Sequence, residues 1–315
     1  MHIIDKILSR SEFKTDPPVL IDIGASGFLP KEWTTIAKYS ICIAFDADER
    51  EIGYISNEKT RYLKLYTYNC VVSDNSKKKN VFFLTDFPYC SSLLEPNMGN
   101  LRNWDYSDLF KVKKKVTLNS ITLPAVLEEL NINSVDWFKA DSQGIDLRLF
   151  KSLGNRIINK VLVADFEPEI IEAYKGEDRL DKILVFMDKF PFFISDMEPR
   201  GAIRISERII SEKFNALERK ILNFVSQKSP CWIELSYVNT FRNTKIFSKR
   251  DFLLEWVFSL IKNQLCFAFE LAIKGKEKFK DPIFSELEQY SIKAIRKQIV
   301  FSPLYFIKQI CPLHR

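Results

Sequence analysis

Histidine is almost missing from this chain: His2 and His314, one near each end, are the two in 315 residues. Unless a terminus folds inward, no Ser-His-Asp or Cys-His group can be assembled, so a general base has to be a carboxylate, a lysine, a tyrosine or a metal-bound group. Cysteine is scarce and scattered. Cys42, Cys70, Cys90, Cys231, Cys266 and Cys311 include no CxxC pair, which argues against a compact zinc site and a disulfide framework; reduced cytosolic thiols are the expectation. Long apolar runs are also lacking. "WVFSLIKNQLCFAFELAI" is broken by Lys262, Asn263, Gln264 and Glu270, and a membrane span needs roughly 20 mostly apolar residues, so a core helix is expected there. "MHIIDKILSRSEF" carries charges inside its apolar run and no small-residue cleavage site, so no signal peptide is expected and the chain reads as cytoplasmic. Charge of one sign is missing from the body. The net +6 divides into +5 from Lys249 to Arg315 (12 Lys+Arg against 7 Asp+Glu) and +1 elsewhere. A body that neutral speaks against nucleic-acid binding, which wants broad basic coverage with interleaved stacking residues.

What is present is an alternation of short β-branched apolar runs with amphipathic stretches, the pattern of a parallel sheet flanked by helices. Hydrophobic residues make up 46%, enough for one large core, or a core with an appendage. Strands are predicted at Val19–Ile23, Ile41–Phe45, Lys64–Val72, Val135–Asp141, Lys160–Glu169, Pro191–Pro199 and Cys231–Thr240. Trp33–Lys38 is predicted as part of a helix, and Ser206–Gln227 as one long amphipathic helix before the last strand. That closing order fits a seven-stranded sheet whose last strand inserts antiparallel. "VTLNSITLPAVLEEL" should start extended and become helical near Pro124, since proline suits a first turn. From about Phe247 the pattern turns helical, with "KGKEKFKDP" as a solvated joint. We therefore expect a body over 1–245 and a helical extension over 246–315.

Asp22, Asp46, Asp74, Asp141, Asp165 and Asp196 fall at or just past predicted strand ends, the edge where open α/β sheets bind ligands. Singly, such an acid is usually a loop residue or a helix cap. Six on one edge would repel one another unless something cationic binds, either a sulfonium with an amino group or a divalent metal. "VLIDIGASGFLP" sharpens the choice. A third glycine, which a dinucleotide loop needs to approach a pyrophosphate, is lacking, and Asp22 would repel a phosphate. An acid ahead of a short glycine turn suits a ligand with a positive centre and no phosphate, and S-adenosylmethionine is such a ligand. Asp46, some 20 residues on, is placed to accept hydrogen bonds from ribose hydroxyls.

Several motifs together resemble one family. "IDIGASGFLPKEW", "FDAD" at Phe45–Asp48, "CSSLLEPN" at Cys90–Asn97 and above all "VDWFKADSQGIDLRLFKSLG" with Lys139, Asp141, Gln143, Gly144 and Asp146 are similar to the FkbM-type S-adenosylmethionine-dependent methyltransferases. The resemblance runs from about Val19 to Glu198, and more loosely to Cys231–Thr240. It implies a Rossmann-like class I methyltransferase fold, α/β with a seven-stranded, mostly parallel sheet. It implies that Asp22, Gly24, Ala25, Ser26 and Gly27 cradle the methionine part. Asp46 with Ala47 would take the ribose, and Val72 and Asp74 would lie by the adenine. Asp141 would stand beside methyl donor and acceptor, as holder of the cofactor amino group, base or metal ligand. Gln143, Asp165 and Glu167 would share that edge with it as the catalytic set. Family members mostly methylate hydroxyls of sugars or natural products, so the resemblance implies a sugar or glycan acceptor. A natural-product or lipid hydroxyl, and a non-catalytic scaffold of the same fold, are the alternatives.

A sugar hydroxyl needs a base or metal as it attacks, and Asp141, Asp165 or Glu167 is the expected base. A divalent metal on oxygen ligands is a less favoured addition. The loop Phe87–Phe110 carries Phe87, Tyr89, Trp104, Tyr106 and Phe110, either to stack on a sugar ring or to pack as an insert. "KVKKK", Lys111–Lys115, reads as a solvated strand edge. In the tail, Phe301, Leu304, Tyr305, Phe306, Ile307 and Ile310 lie near Lys293, Arg296, Lys297, Lys308 and Arg315. They suggest a basic amphipathic helix that completes a core, joins two copies of the chain as a homo-oligomer, or touches a partner protein or the inner face of a membrane.

Overall fold

The computed structural model of the chain describes residues 3–25, 30–47 and 61–310, with the backbone alone over 302–310. Ser26, Gly27, Phe28 and Asp48, and the tail side chains beyond Phe301, lie outside the described residues. The chain divides into two compact units, Lys14–Arg242 and a second made of Met1–Phe13 with Asn243–Arg315.

The larger unit is α/β and Rossmann-like. Its central strands are β1 (Val19–Ile23), β2 (Ile41–Phe45), β3 (Lys64–Tyr68), β7 (Trp137–Ala140), β8 (Val163–Phe166), β9 (Phe192–Ala202) and β10 (Ser229–Asn239). They run in the order β3-β2-β1-β7-β8-β10-β9. All pairs from β3 to β8 are parallel, and β10 enters antiparallel between β8 and β9. One sheet face packs Val19, Ile21, Ile43, Phe45, Phe138 and Phe166 against Leu127, Phe150, Ile183 and Met187 of the flanking helices. The β-branched, apolar strands have this burial as their cause.

The opposite face carries a polar row. Asp22, Lys139, Asp165 and Ser236 stand side by side in register on β1, β7, β8 and β10. Lys139 Nζ donates to Asp22 Oδ1 at 2.8 Å, Trp137 Nε1 to Asp165 Oδ2 at 2.7 Å, and Ser236 Oγ to Asp165 Oδ1 at 2.5 Å. The edge of six acids expected from the sequence therefore does not form. Asp22 is answered by Lys139, Asp165 by Trp137 and Ser236, while Asp196 is an exposed residue capped by the Met197 amide.

Between β3 and β7 the chain builds a second sheet from β4 (Val71–Val72), β5 (Lys79–Thr85) and β6 (Val112–Ile121), in the order β4-β6-β5. The expected strand Lys64–Val72 is thus two strands in two sheets. Lys113–Lys115 lie at the exposed end of β6, where β5 pairs on one side and β4, which reaches only Ser120 and Ile121, leaves the other side without a strand among the described residues, the solvated edge expected; Lys113 pairs with Asp86 at 3.0 Å. Trp33–Lys38 forms two single turns, Lys31–Trp33 and Ala37–Tyr39, in place of an α-helix. Two consecutive threonines, poor helix formers, separate them. The expected helix Ser206–Gln227 is broken into Glu207–Lys213 and Ala216–Val225, because Asn215 and Glu218 form a capping box that starts a new helix.

In the smaller unit, helices Lys249–Ile261, Leu265–Phe279 and Pro282–Ile310 pack around Phe252, Trp256, Phe279 and Phe284, and Trp256 Nε1 donates to Ser291 Oγ at 3.0 Å. The apolar run from Asp251 is cut at Asn263, whose φ of 55° stops the first helix. "KGKEKF" continues the second helix, which ends at the left-handed Lys280. Helix Ile3–Leu8 belongs here too. Arg10, Lys249, Glu12 and Asp281 form a local ion cluster: burial opposes ionisation of Glu12, but Lys249 and Arg10 hold its pKa at about 2. Among the described residues no helix is long and apolar enough to cross a membrane, and the described cysteines are free thiols.

Candidate functional site

The order of the sheet reverses direction between β1 and β7, and both neighbours end at the same rim, where α/β sheets place their ligands. Asp141 N donates to Ile23 O at 3.0 Å, while Gly24 and Ala25 donate to Phe45 O, also at 3.0 Å. Gly24 has φ +75°, and a Cβ there would lie 2.3 Å from Asp141 O. The glycine thus lets the ends of β1 and β7 close on each other, which no larger residue permits.

Two pockets open at this rim. The first, about 650 Å³ including open solvent, is walled by Ile23, Phe45, Val71, Val72, Phe82 and Ile145, with Gly24, Asp46, Ala47, Asp141 and Gln143 supplying its polar side. No lysine or arginine is among its described lining residues. The second, about 590 Å³, is lined by Phe87, Tyr89, Tyr106, Phe110 and Trp232 together with Asp141, Gln143, Glu167 and Glu169. The two share Tyr89, Asp141 and Gln143.

The shared wall is firmly made. Gln143 has φ 56° and Gly144 φ 108°, a turn whose left-handed residues cost about 1–3 kcal/mol where they are not glycine. Ser92 Oγ donates to Gln143 O at 2.6 Å, and Tyr174 Oη donates to Gln143 Oε1 at 2.8 Å. Gln143 Nε2 in turn donates to Asp141 Oδ1 at 2.5 Å. Asp146 latches the far side, accepting from the Ser142 amide at 2.8 Å and the Glu167 amide at 3.1 Å. At Gly144 a Cβ would press on Glu177 and Leu94.

The electrostatics are those of acids withdrawn from water. Burial pushes the Asp141 carboxyl up, against the pull of Lys139 and of the Gln143 hydrogen bond. Burial and then Asp141 raise Glu167 from 4.5 to about 9; burial raises Glu177 to about 7 and Asp146 to about 6. Glu167 also hydrogen-bonds Asp141, so the two titrate as a pair and not independently. Burial works to lower the Lys139 pKa, yet Asp22 holds it raised. Each of these acids binds its proton more tightly in the folded chain than in the unfolded one, so stability falls as the pH climbs from their unfolded values, near 4.5 for Glu167, through the folded ones, the last near 9. Scanning calorimetry is expected to show the melting temperature declining between about pH 5 and about pH 9, and Glu167→Gln is expected to flatten the upper part of that decline.

Of the sequence-predicted residues, Gly24, Asp46, Ala47, Val72, Asp141 and Gln143 line the first pocket, and Asp141, Gln143 and Glu167 the second. Asp22, Ala25, Asp74 and Asp165 line neither, and Ser26 and Gly27 lie outside the described residues. Trp104, from the aromatic loop, is instead buried beside Ala202 and Cys231 with the Arg204 guanidinium 5.1 Å above its ring. Sequence reasoning missed Glu169, Trp232, Ser92 as the anchor of the Gln143 turn, and Tyr174. Glu169 had a signal in the alternation "EPE", which sends Glu167 and Glu169 the same way. Trp232 had none, since its side of β10 depends on the antiparallel insertion. Among the described residues no group of three or more His, Cys, Asp or Glu is arranged to hold a metal ion.

Compared with models of protein families, with curated proteins and with solved structures, the chain matches none.

Proposed function

We propose that this chain is an S-adenosylmethionine-dependent methyltransferase that acts on a hydroxyl of a sugar or glycan. The observation that carries the proposal is the pair of pockets meeting at Asp141 and Gln143, one suited to a nucleoside and the other to an acceptor. The strand order with an antiparallel strand inserted next to last is also the arrangement expected of a class I methyltransferase.

The residues present fit the cofactor. Asp46, at the end of β2, is 8% exposed, and its backbone is held by Asn69 Nδ2 at 3.0 Å and by its own amide on Tyr68 O at 3.2 Å. A carboxylate so placed accepts from both ribose hydroxyls. Phe45, Val71, Val72 and Ile145 offer apolar faces to an adenine, and the described lining residues, with no lysine or arginine among them, do not cater for phosphates. When bound, the cofactor supplies an electrophilic methyl group on a sulfonium. The chain's own part is positioning and proton movement. Asp141, made more basic by burial and drawn back toward its ionised form by Lys139 and the Gln143 hydrogen bond, takes the proton of the acceptor hydroxyl. The aromatic rings of the second pocket stack on the apolar face of a sugar and keep water out. Asp165, bonded to Trp137 and Ser236, holds the sheet and takes no part in the proton transfer.

In isothermal titration calorimetry Asp46→Ala is expected to weaken S-adenosylmethionine binding by about 10- to 100-fold, the cost of two charge-assisted hydrogen bonds. Wild-type protein that gives no heat, or a variant that binds as well, would remove the proposal.

A further inference from the structure

The second pocket holds more carboxyl groups than a proton transfer needs. Asp141, Glu167 and Glu169 open onto it, no lysine or arginine is among its described lining residues, and Tyr89, Tyr106 and Trp232 face it with aromatic rings. Glu169 is the telling residue. It is 8% exposed, and its Oε2 has no hydrogen-bond partner. Buried carboxylate oxygens are almost always satisfied, because desolvation without a partner is costly. Nor can this one relax away. Its carbonyl accepts from the Leu180 amide at 3.0 Å, and its backbone bridges to Trp232. The contrast with its neighbour is informative. Glu177 is also buried, yet its oxygens accept from the amides of Ala173 at 2.8 Å and Tyr174 at 3.2 Å. The protein has answered Glu177 from within and left Glu169 open to the pocket.

We propose that the acceptor carries an amine, whose ammonium is received by Glu169 and Glu167 between the aromatic rings while a neighbouring hydroxyl stands at Asp141. The amine-binding pocket stands by itself; the role of the hydroxyl rests on the methyltransferase reading. An ammonium brings three donors to a place with an orphaned acceptor, draws carboxyls that burial and mutual repulsion push well up back toward their ionised form, and gains from ring faces. A neutral hydroxyl supplies a single donor and gives the carboxyls no such partner. Carbon rings bearing both an amine and hydroxyls, the amino sugars, combine the two requirements of the pocket, an apolar face for stacking and a cation at one corner.

The test is calorimetry at neutral pH with a matched panel: methyl glycosides of hexosamines, their N-acetyl forms and the corresponding hexoses. Each is titrated into the protein alone and into protein saturated with S-adenosylhomocysteine. At least one hexosamine is expected to bind about tenfold or more tighter than both of its neutral counterparts. Glu169→Gln is expected to shrink that preference to about twofold while leaving the S-adenosylhomocysteine affinity unchanged. Trp232→Ala, which removes an aromatic ring from the pocket lining, is expected to weaken the hexosamine by about tenfold, which covers the case that Glu169→Gln folds poorly. Equal binding of neutral and amino sugars, a preference that survives in Glu169→Gln, or no binding by any member overturns the proposal. Protein that binds the hexosamine but not S-adenosylhomocysteine keeps the amine pocket and loses the methyltransferase reading, so the two fail separately.

Discussion

Replacing Lys139 with methionine is expected to lower the stability of the chain by about 3–5 kcal/mol, the cost of leaving one partner of a buried ion pair uncompensated. Asp22 is 3% exposed and sits at the centre of the sheet, with Lys139 Nζ 2.8 Å away on the adjoining strand. Without the ammonium, its carboxylate faces the Asp165 row and the thiol of Cys42, whose pKa burial and then Asp22 already push well up. Methionine keeps most of the volume, so the loss measures charge and not a cavity. Urea unfolding of wild type, Lys139→Met and the double variant Lys139→Met with Asp22→Asn decides the matter. The double variant should recover a substantial part of the loss, since it removes the stranded charge. A single variant within about 1 kcal/mol of wild type would mean that the pair does not hold the sheet together.

Asp141→Asn is the second large effect. Turnover of the acceptor is expected to fall by about 10²- to 10⁴-fold, the usual contribution of a positioned base, with the cofactor dissociation constant changed by less than about tenfold. The carboxylate and the carboxamide have the same shape, and the Gln143 side chain can rotate its amide to meet either. Glu167→Gln separates the base from its titrating partner. It removes the group that titrates together with Asp141, so the rate should become flatter with pH while falling less far. Equal turnover by Asp141→Asn and wild type would take Asp141 out of the chemistry. A loss confined to the Michaelis constant would make it a binding residue only.

Much of the architecture could be read in advance because the strands are short β-branched runs with an acid at their ends, and β1, β2, β7, β8 and β10 lie where those runs do. Partnership was harder. Lys139 stood out through its motif, but what it does depends on the register that sets it beside Asp22, and register arises from tertiary pairing rather than local pattern. The same holds for Asp165: as a strand-end acid it looked free to act, whereas Trp137 and Ser236, nearly a hundred residues apart in sequence, close over it. Helix limits failed where a capping residue outweighs amphipathic periodicity, as Asn215 does between Lys213 and Ala216. At the site, Asp46, Gly24, Asp141 and Gln143 were legible as motif residues. Glu169 had its place marked by the "EPE" alternation, but its unsatisfied oxygen is a property of its surroundings and leaves no mark in the composition.

The smaller unit is assembled from both ends of the sequence, with Arg10 on Asp281 at a separation of 271 residues. During synthesis Ile4, Ile7, Leu8 and Phe13 leave the ribosome long before the helices that will cover them. At roughly 5–20 residues per second that interval amounts to tens of seconds. Those apolar side chains stay uncovered until the helices from Lys249 onward have been made, and the fold of the smaller unit waits on them.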